Sequence, residues 1–124
     1  MKCAVCCLND RVSPLVRYSK EIMVISVGRK GRLTINKIPA NSLKPLELVD
    51  LLKSMKVNTL ICGGIKEKCQ KILKSNNITL IENVIGNVDD VVKSYLDGNL
   101  HANIVIIKQR ISHDKTSNIL MRER

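Results

Sequence analysis

The chain has no tryptophan and no phenylalanine, and only two tyrosines, Tyr18 and Tyr95, among its 124 residues. A core built without large rings must be filled by isoleucine, leucine and valine. A surface without them lacks the stacking platforms on which single-stranded nucleic acid lies. Histidine is equally scarce: His101 and His113 are the two, both near the C-terminal end. No histidine therefore stands beside a cysteine or serine in the body of the chain, which leaves little support for the usual nucleophile–base pairings. No apolar run approaches the roughly 20 residues that a membrane-spanning helix requires. The apolar stretch Cys3 to Leu8 is too short for a secretory signal, and the reading places the protein in the cytoplasm. Proline is sparse, with Pro14, Pro39 and Pro45 falling between periodic segments.

What is present is charge of one sign and sulfur. Lysine and arginine total 21 against 11 acidic residues, for a net charge of +10. The excess is uneven. Residues 1–62 carry 11 basic and 4 acidic side chains, residues 63–100 carry 5 of each, and residues 101–124 carry 5 basic and 2 acidic. Such a field draws anions of several kinds: an anionic metal cofactor, an acidic partner protein, or a nucleic-acid backbone. Nucleic acid is the least favoured, for want of aromatics. The five cysteines are odd in number, and three fall within Cys3 to Cys7. In a reducing compartment they are thiols, metal ligands or small buried hydrophobes, and not a disulfide framework.

Periodicity divides the chain into alternating elements. Residues 2–7 read as a first strand, closed by the turn residues Asn9 and Asp10. Ser13-Pro14 fixes a loop. Residues 21–27 and 32–38 read as strands joined by Gly28-Arg29-Lys30-Gly31, a hairpin signal. From Pro45 the period becomes helical, with Leu46, Leu48, Val49, Leu51, Leu52 and Met55 on one face. Val57–Cys62 is a further strand, and Gly63-Gly64 opens a helix that runs to about Ser75. Ile78–Ile81 is a strand. Asn87 caps a last helix, with Asp90 as a box-like partner and Gly98 at its end. Val88, Val91, Val92, Tyr95 and Leu96 face inward. This order predicts an α/β domain over residues 1–100 with a mixed sheet. Ile104 to Ile107, at the head of a basic tail over residues 101–124, allows an extra strand, a swapped strand, or a segment that orders on a partner. Beyond Ser112 the composition is loose.

Three sets of residues could carry chemistry. Cys6 and Cys7 end the first strand, Cys62 ends the fourth, and Cys69 lies early on the helix after it. If those strands are parallel neighbours, their ends share the edge where open α/β sheets bind ligands, and thiolates there would suit iron–sulfur species. Against this, strand alternation sends Cys6 and Cys7 to opposite faces, the spacing matches no zinc motif, and free cysteine is commonly core, as expected for Cys3. The second set is Gly63-Gly64 before a helix N-terminus, either a seat for an anion or a tight turn. The third is basic: Arg11, Arg17, Lys20, Arg29, Lys30 and Arg32. Asp10, Asp89 and Asp90 read as turn and cap residues.

Four segments in order resemble the dinitrogenase iron–molybdenum cofactor family. They are Met1–Val5 with Val12-Ser13-Pro14, a hairpin, Val57-Asn58-Thr59-Leu60-Ile61-Cys62-Gly63-Gly64-Ile65, and Asn87-Val88-Asp89-Asp90-Val91-Val92 leading to Tyr95-Leu96-Asp97-Gly98-Asn99-Leu100. The resemblance implies a ribonuclease-H-like fold with a five-stranded sheet in the order 3-2-1-4-5. It also implies a binding or carrier role, not an enzymatic one, for the iron–molybdenum cofactor or an iron–sulfur precursor. Ser13, Arg17, Gly63 and Gly64 are the expected cofactor-binding positions, and Cys6, Cys7, Cys62 and Cys69, from their place at the strand ends and on the next helix, the candidate metal ligands. The sequence departs from the family where His-Phe-Gly follows Ser-Pro: Leu15, Val16 and Arg17 stand there, and leucine cannot ligate metal. The alternatives are a metal-free interaction domain that binds an acidic protein or nucleic acid through its basic surface, and an enzyme acting on phosphate-containing substrates. The last is disfavoured because no carboxylate lies in the first strand to hold metal ions. A homodimer through the tail or a sheet edge is also open.

Overall fold

The computed structural model describes residues 2–41 and 43–107. Its centre is strand β1 (Lys2–Leu8), buried at every position from Cys3 to Cys7. At Asn9, whose φ is 57°, the chain reverses. The two-residue strand β2 (Arg11–Val12) then runs back along β1, pairing Cys7 with Val12 and Leu8 with Arg11. The segment Ser13–Tyr18 follows, ending in a 3-10 turn at Val16–Tyr18. Strands β3 (Glu21–Val27) and β4 (Leu33–Pro39) form the expected hairpin. Lys30 and Gly31 supply its positive φ angles, 63° and 72°, whereas Gly28 at −91° does not need to be glycine for its backbone.

Helix α1 (Pro45–Ser54) begins with proline in its first turn, where the missing N–H costs nothing. The Lys44 N–H is taken up by the Glu47 carboxylate at 2.8 Å. Leu48, Val49 and Leu52 are buried, but Leu46, expected on the same face, is 66% exposed. At 3.6 residues per turn it stands roughly 120° round the helix from Leu52, off the buried face. Strand β5 (Thr59–Ile61), helix α2 (Glu67–Ser75), strand β6 (Thr79–Ile81) and helix α3 (Val88–Leu96) complete the body. Asn87 caps α3 by accepting from the Asp89 N–H at 3.0 Å. The box with Asp90 does not form: one Asp90 carboxylate oxygen is buried without a partner among the described residues. Leu96, expected inward, is 41% exposed, while Tyr95 is partly buried against the core.

The sheet has six strands rather than five. Its path is β4-β3-β1-β5-β6, with β2 added on β1. β1 pairs antiparallel with β3 and parallel with β5. Two apolar layers flank the sheet, assigned by strand alternation. Ala4, Cys6, Ile22, Val24, Leu60 and Cys62 face α1 and α2. Cys3, Val5, Cys7, Met23, Ile25 and Ile61 face α3. Of the tail, Ile104 and Ile106 pack on this second layer, and Val105 bridges Ile85 in parallel. Residues 108–124, where the composition reads as loose and basic, lie outside the described residues.

Candidate functional site

β1 leaves the sheet toward β3 and its antiparallel hairpin, while β5, on its other side, is reached through α1. The connections therefore diverge between β1 and β5, and a crevice forms beyond the carboxyl ends of such strands. β5 is short, so past Ile61 the flank of β1 is taken by β2, and this carries Ser13–Arg17 across the end of β5. There it lies against Gly63-Gly64. The Gly64 N–H donates to the Pro14 carbonyl at 2.7 Å, and the Val16 N–H donates to the Gly64 carbonyl at 2.9 Å. The result is an open cleft of about 640 Å³. Leu15, Val16 and Arg17 form one wall, Gly64 to Lys66 with the first turn of α2 another, Leu43, Pro45 and Leu48 a third, and Glu82-Asn83 the far rim.

The floor is apolar and the rim is charged. Arg17, Lys66 and Lys68 are exposed cations at the cleft, facing the single carboxylate of Glu82. Arg17 is held over the Tyr18 ring, with its Cζ 5.0 Å from the ring centroid, and donates to the Tyr18 hydroxyl at 3.3 Å. α2 starts at this wall with no side chain capping its first turn. Its free N–H groups and its dipole add positive potential at the same place.

Of the expected cofactor-binding residues, Arg17 and Gly64 line the cleft. Ser13 does not: it is fully buried, and its hydroxyl donates to the Leu15 carbonyl at 2.7 Å. Gly63 is buried beneath the cleft, and it is glycine for a packing reason. A Cβ there would collide with the Ser13 carbonyl and lie 2.7 Å from the Pro14 oxygen. The double glycine thus serves the close approach of two loops, and the Gly64 N–H is already committed.

The cysteines divide. Cys7 points into the layer beneath α3 and donates its thiol to the Val5 carbonyl at 3.3 Å, so it does not join the others. Cys6, Cys62 and Cys69 do share the layer beneath α1 and α2. Cys6 and Cys62 follow the register pair Val5–Ile61 directly. Yet all are buried, and only Cys69 touches the cleft. The expectation of a common exposed crevice for Cys6, Cys7 and Cys62 is therefore corrected: the ends of β1 and β5 meet, but α1, α2 and the Ser13–Tyr18 segment close over them. Loss of hydration pushes the Cys6 thiol up to about 12 and those of Cys3 and Cys7 to about 11, and raises Cys62 and Cys69 as well. The Ser19 hydroxyl shares a small cavity with Cys6, and without a full hydrogen bond it offsets little of that penalty. Neutral thiols are poor metal ligands, and no group of three histidine, cysteine or acidic side chains among the described residues is placed to hold a metal ion.

Sequence reading missed Lys66, Lys68, Glu82 and Asn83. A signal existed, because each follows a strand whose carboxyl end is the ligand-binding edge in a parallel α/β sheet.

The fold and cleft define a three-layer α/β domain with an open, cation-rimmed pocket at the carboxyl edge of its sheet. Residues 1–98 match the dinitrogenase iron-molybdenum cofactor family, and the chain belongs to it. No curated protein matches the sequence. Among solved structures, PH0822 superposes with a TM-score of 0.74 at 18% identity, covering 83% of this chain and 95% of that one. The apo form of the orange protein from Desulfovibrio gigas gives 0.67 at 16%, covering 82% and 91%. A provisionally named dinitrogenase from Methanocaldococcus jannaschii gives 0.64 at 21%, covering 81% and 91%. At these identities the likeness shows the shared fold. No helix among the described residues is long and apolar enough to cross a membrane.

Proposed function

We propose that the protein carries a preassembled anionic metal cofactor, an iron–molybdenum cofactor or an iron–sulfur precursor of it, and does not transform it. The family membership supports the class of cargo. The observation that carries the mode of binding is the cleft: cations and an uncapped helix N-terminus surround an apolar floor, while the thiols lie buried and protonated beneath it. Cargo that brings its own inorganic ligands needs charge and shape from its carrier, not a full set of protein ligands. Leu15 stands on the cleft wall, so the contact made there is apolar. Cys69 is the one thiol within reach of the cargo. The proposal includes the ribonuclease-H-like description of the fold, supported by the order β4-β3-β1-β5-β6 around an antiparallel hairpin.

The test is anaerobic gel filtration of the protein with extracted iron–molybdenum cofactor, and separately with ferrous iron and sulfide. Co-elution of the extracted cofactor, lost in Arg17→Glu/Lys68→Glu and retained in Cys62→Ala, is expected. No co-elution would defeat the proposal. So would a cluster assembled from iron and sulfide that disappears in Cys6→Ala or Cys62→Ala, because the thiols would then be the ligands.

A further inference from the structure

Strand β4 is an outer strand of the sheet, opposite β6, and all seven of its residues pair with β3 on one side. The flanking bonds fix which residues face inward. Gly28 N–H donates to the Arg32 carbonyl at 2.8 Å, and Ala40 N–H to the Lys20 carbonyl at 3.0 Å. In an antiparallel ladder that role alternates. Thr34, Asn36 and Ile38 therefore spend their peptide groups on β3, and Leu33, Ile35 and Lys37 turn theirs outward. Pro39, which has no N–H, ends the edge. No other strand among the described residues covers this outer side.

The same three residues put their side chains on one face. Leu33 and Ile35 are 44% and 48% exposed. Around them stand Arg29, Lys30, Arg32 and Lys37, all exposed, and no aspartate or glutamate occurs anywhere from Ile22 to Leu46. We propose that this edge takes an acidic, extended segment of another protein as an added strand. Its alternate apolar residues would rest on Leu33 and Ile35 beside the Lys37 stem, and its carboxylates, on the opposite face, would meet Arg32 and, at the hairpin turn, Arg29 and Lys30. Charge selects this occupant. A second copy would bring the same cations into the seam, and like charges oppose association. A nucleic acid would present phosphates to outward carbonyls and find no aromatic side chain on the hairpin. Only a peptide backbone offers donors and acceptors in the alternation that a strand edge requires.

The probe is a short fluorescent peptide alternating valine with glutamate, together with a twin N-methylated at every second residue, each titrated into the full chain. The plain peptide is expected to bind, and the N-methylated twin to lose at least about tenfold, since its ladder donors are gone. Arg29→Glu/Arg32→Glu is expected to weaken the plain peptide by a similar factor, about tenfold, and to favour a lysine-containing counterpart. Slowed amide exchange at Leu33, Ile35 and Lys37 should accompany binding. Equal binding of the N-methylated twin would overturn the proposal by reducing the effect to surface charge. An oligonucleotide duplex binding as tightly as the peptide would do the same. Dimerisation through residues 33–37 without any peptide would give the edge to a second copy and equally overturn it.

Discussion

Gly63 and Gly64 look interchangeable in sequence but meet different neighbours. A methyl group at Gly63 meets two backbone oxygens, those of Ser13 and Pro14, which cannot retreat without breaking the loop pairing. At Gly64 it meets Leu15 Cδ2 at 2.7 Å, the flexible end of a side chain, and only brushes the Pro14 oxygen at 3.2 Å. Gly63→Ala is therefore expected to lower unfolding free energy by about 1–3 kcal/mol, and Gly64→Ala by less than about 1 kcal/mol, in urea titrations. If the two cost the same, the loop contact is not what selects glycine at Gly63. The thiols make a second prediction at this scale. Their folded values are raised above the ordinary 9.0, so the folded state favours the protonated form. That contribution is complete below about pH 9 and disappears as pH rises toward 11 and 12, through the folded values. Urea midpoints should hold from pH 7 to 9 and fall above it. An unchanged midpoint at pH 11 in the native chain, or the same fall in a variant with Cys6 and Cys62 replaced by alanine, would contradict the assignment.

Within the elements, packing decides what periodicity proposes. The sequence groups Leu46 with Leu52 on α1, but Leu52 is fully buried, and Leu46, roughly 120° round the helix from it, is 66% exposed. Leu52→Ala should cost about 2–5 kcal/mol, through lost burial and the cavity left behind. Leu46→Ala should stay within about 0.5 kcal/mol of the native chain. Thermal or urea unfolding of the pair separates a face defined by sequence from one defined by contact. α3 shows the same principle at its start. The Asn87 side chain reaches the Asp89 N–H, so the cap is made, whereas Asp90 turns into the protein and completes no box. At the turn between β3 and β4 the glycine reading holds at Gly31 and is unnecessary at Gly28.

For the molecule as a whole, net charge acts through its placement. The positive cleft lies at the carboxyl edge of the sheet, and a second positive patch lies on the hairpin of β3 and β4. The cleft cations are exposed, so ions screen them over a Debye length of about 10 Å at 0.1 M salt. Retention of extracted iron–molybdenum cofactor should therefore weaken steeply between about 0.05 and 0.5 M salt, with Arg17→Glu/Lys68→Glu showing a shallower dependence. Salt-independent retention would point instead to ligation or apolar contact.

The sequence alone determined the longer elements, because periodicity, turn residues and caps act over a few positions: the end of β1 at Asn9-Asp10, the hairpin after Val27, the Asn87 cap. The two-residue β2 is too short to carry a period and emerged only from its pairing with β1. The sequence also carried the family, through short ordered segments such as Ile61-Cys62-Gly63-Gly64-Ile65. It left open what lies above the strand ends. Cys6 and Cys62 are neighbours by register, yet whether neighbouring thiols are exposed ligands or protonated core depends on what packs over them. Here that is the segment after β2, together with α1 and α2. The cleft rim joins Arg17, Lys66, Lys68 and Glu82, four residues from three separate segments with no common spacing. Only the tertiary structure brings them together, because an electrostatic site is set by distance in space and by exclusion of water, and neither is written in the order of residues along the chain.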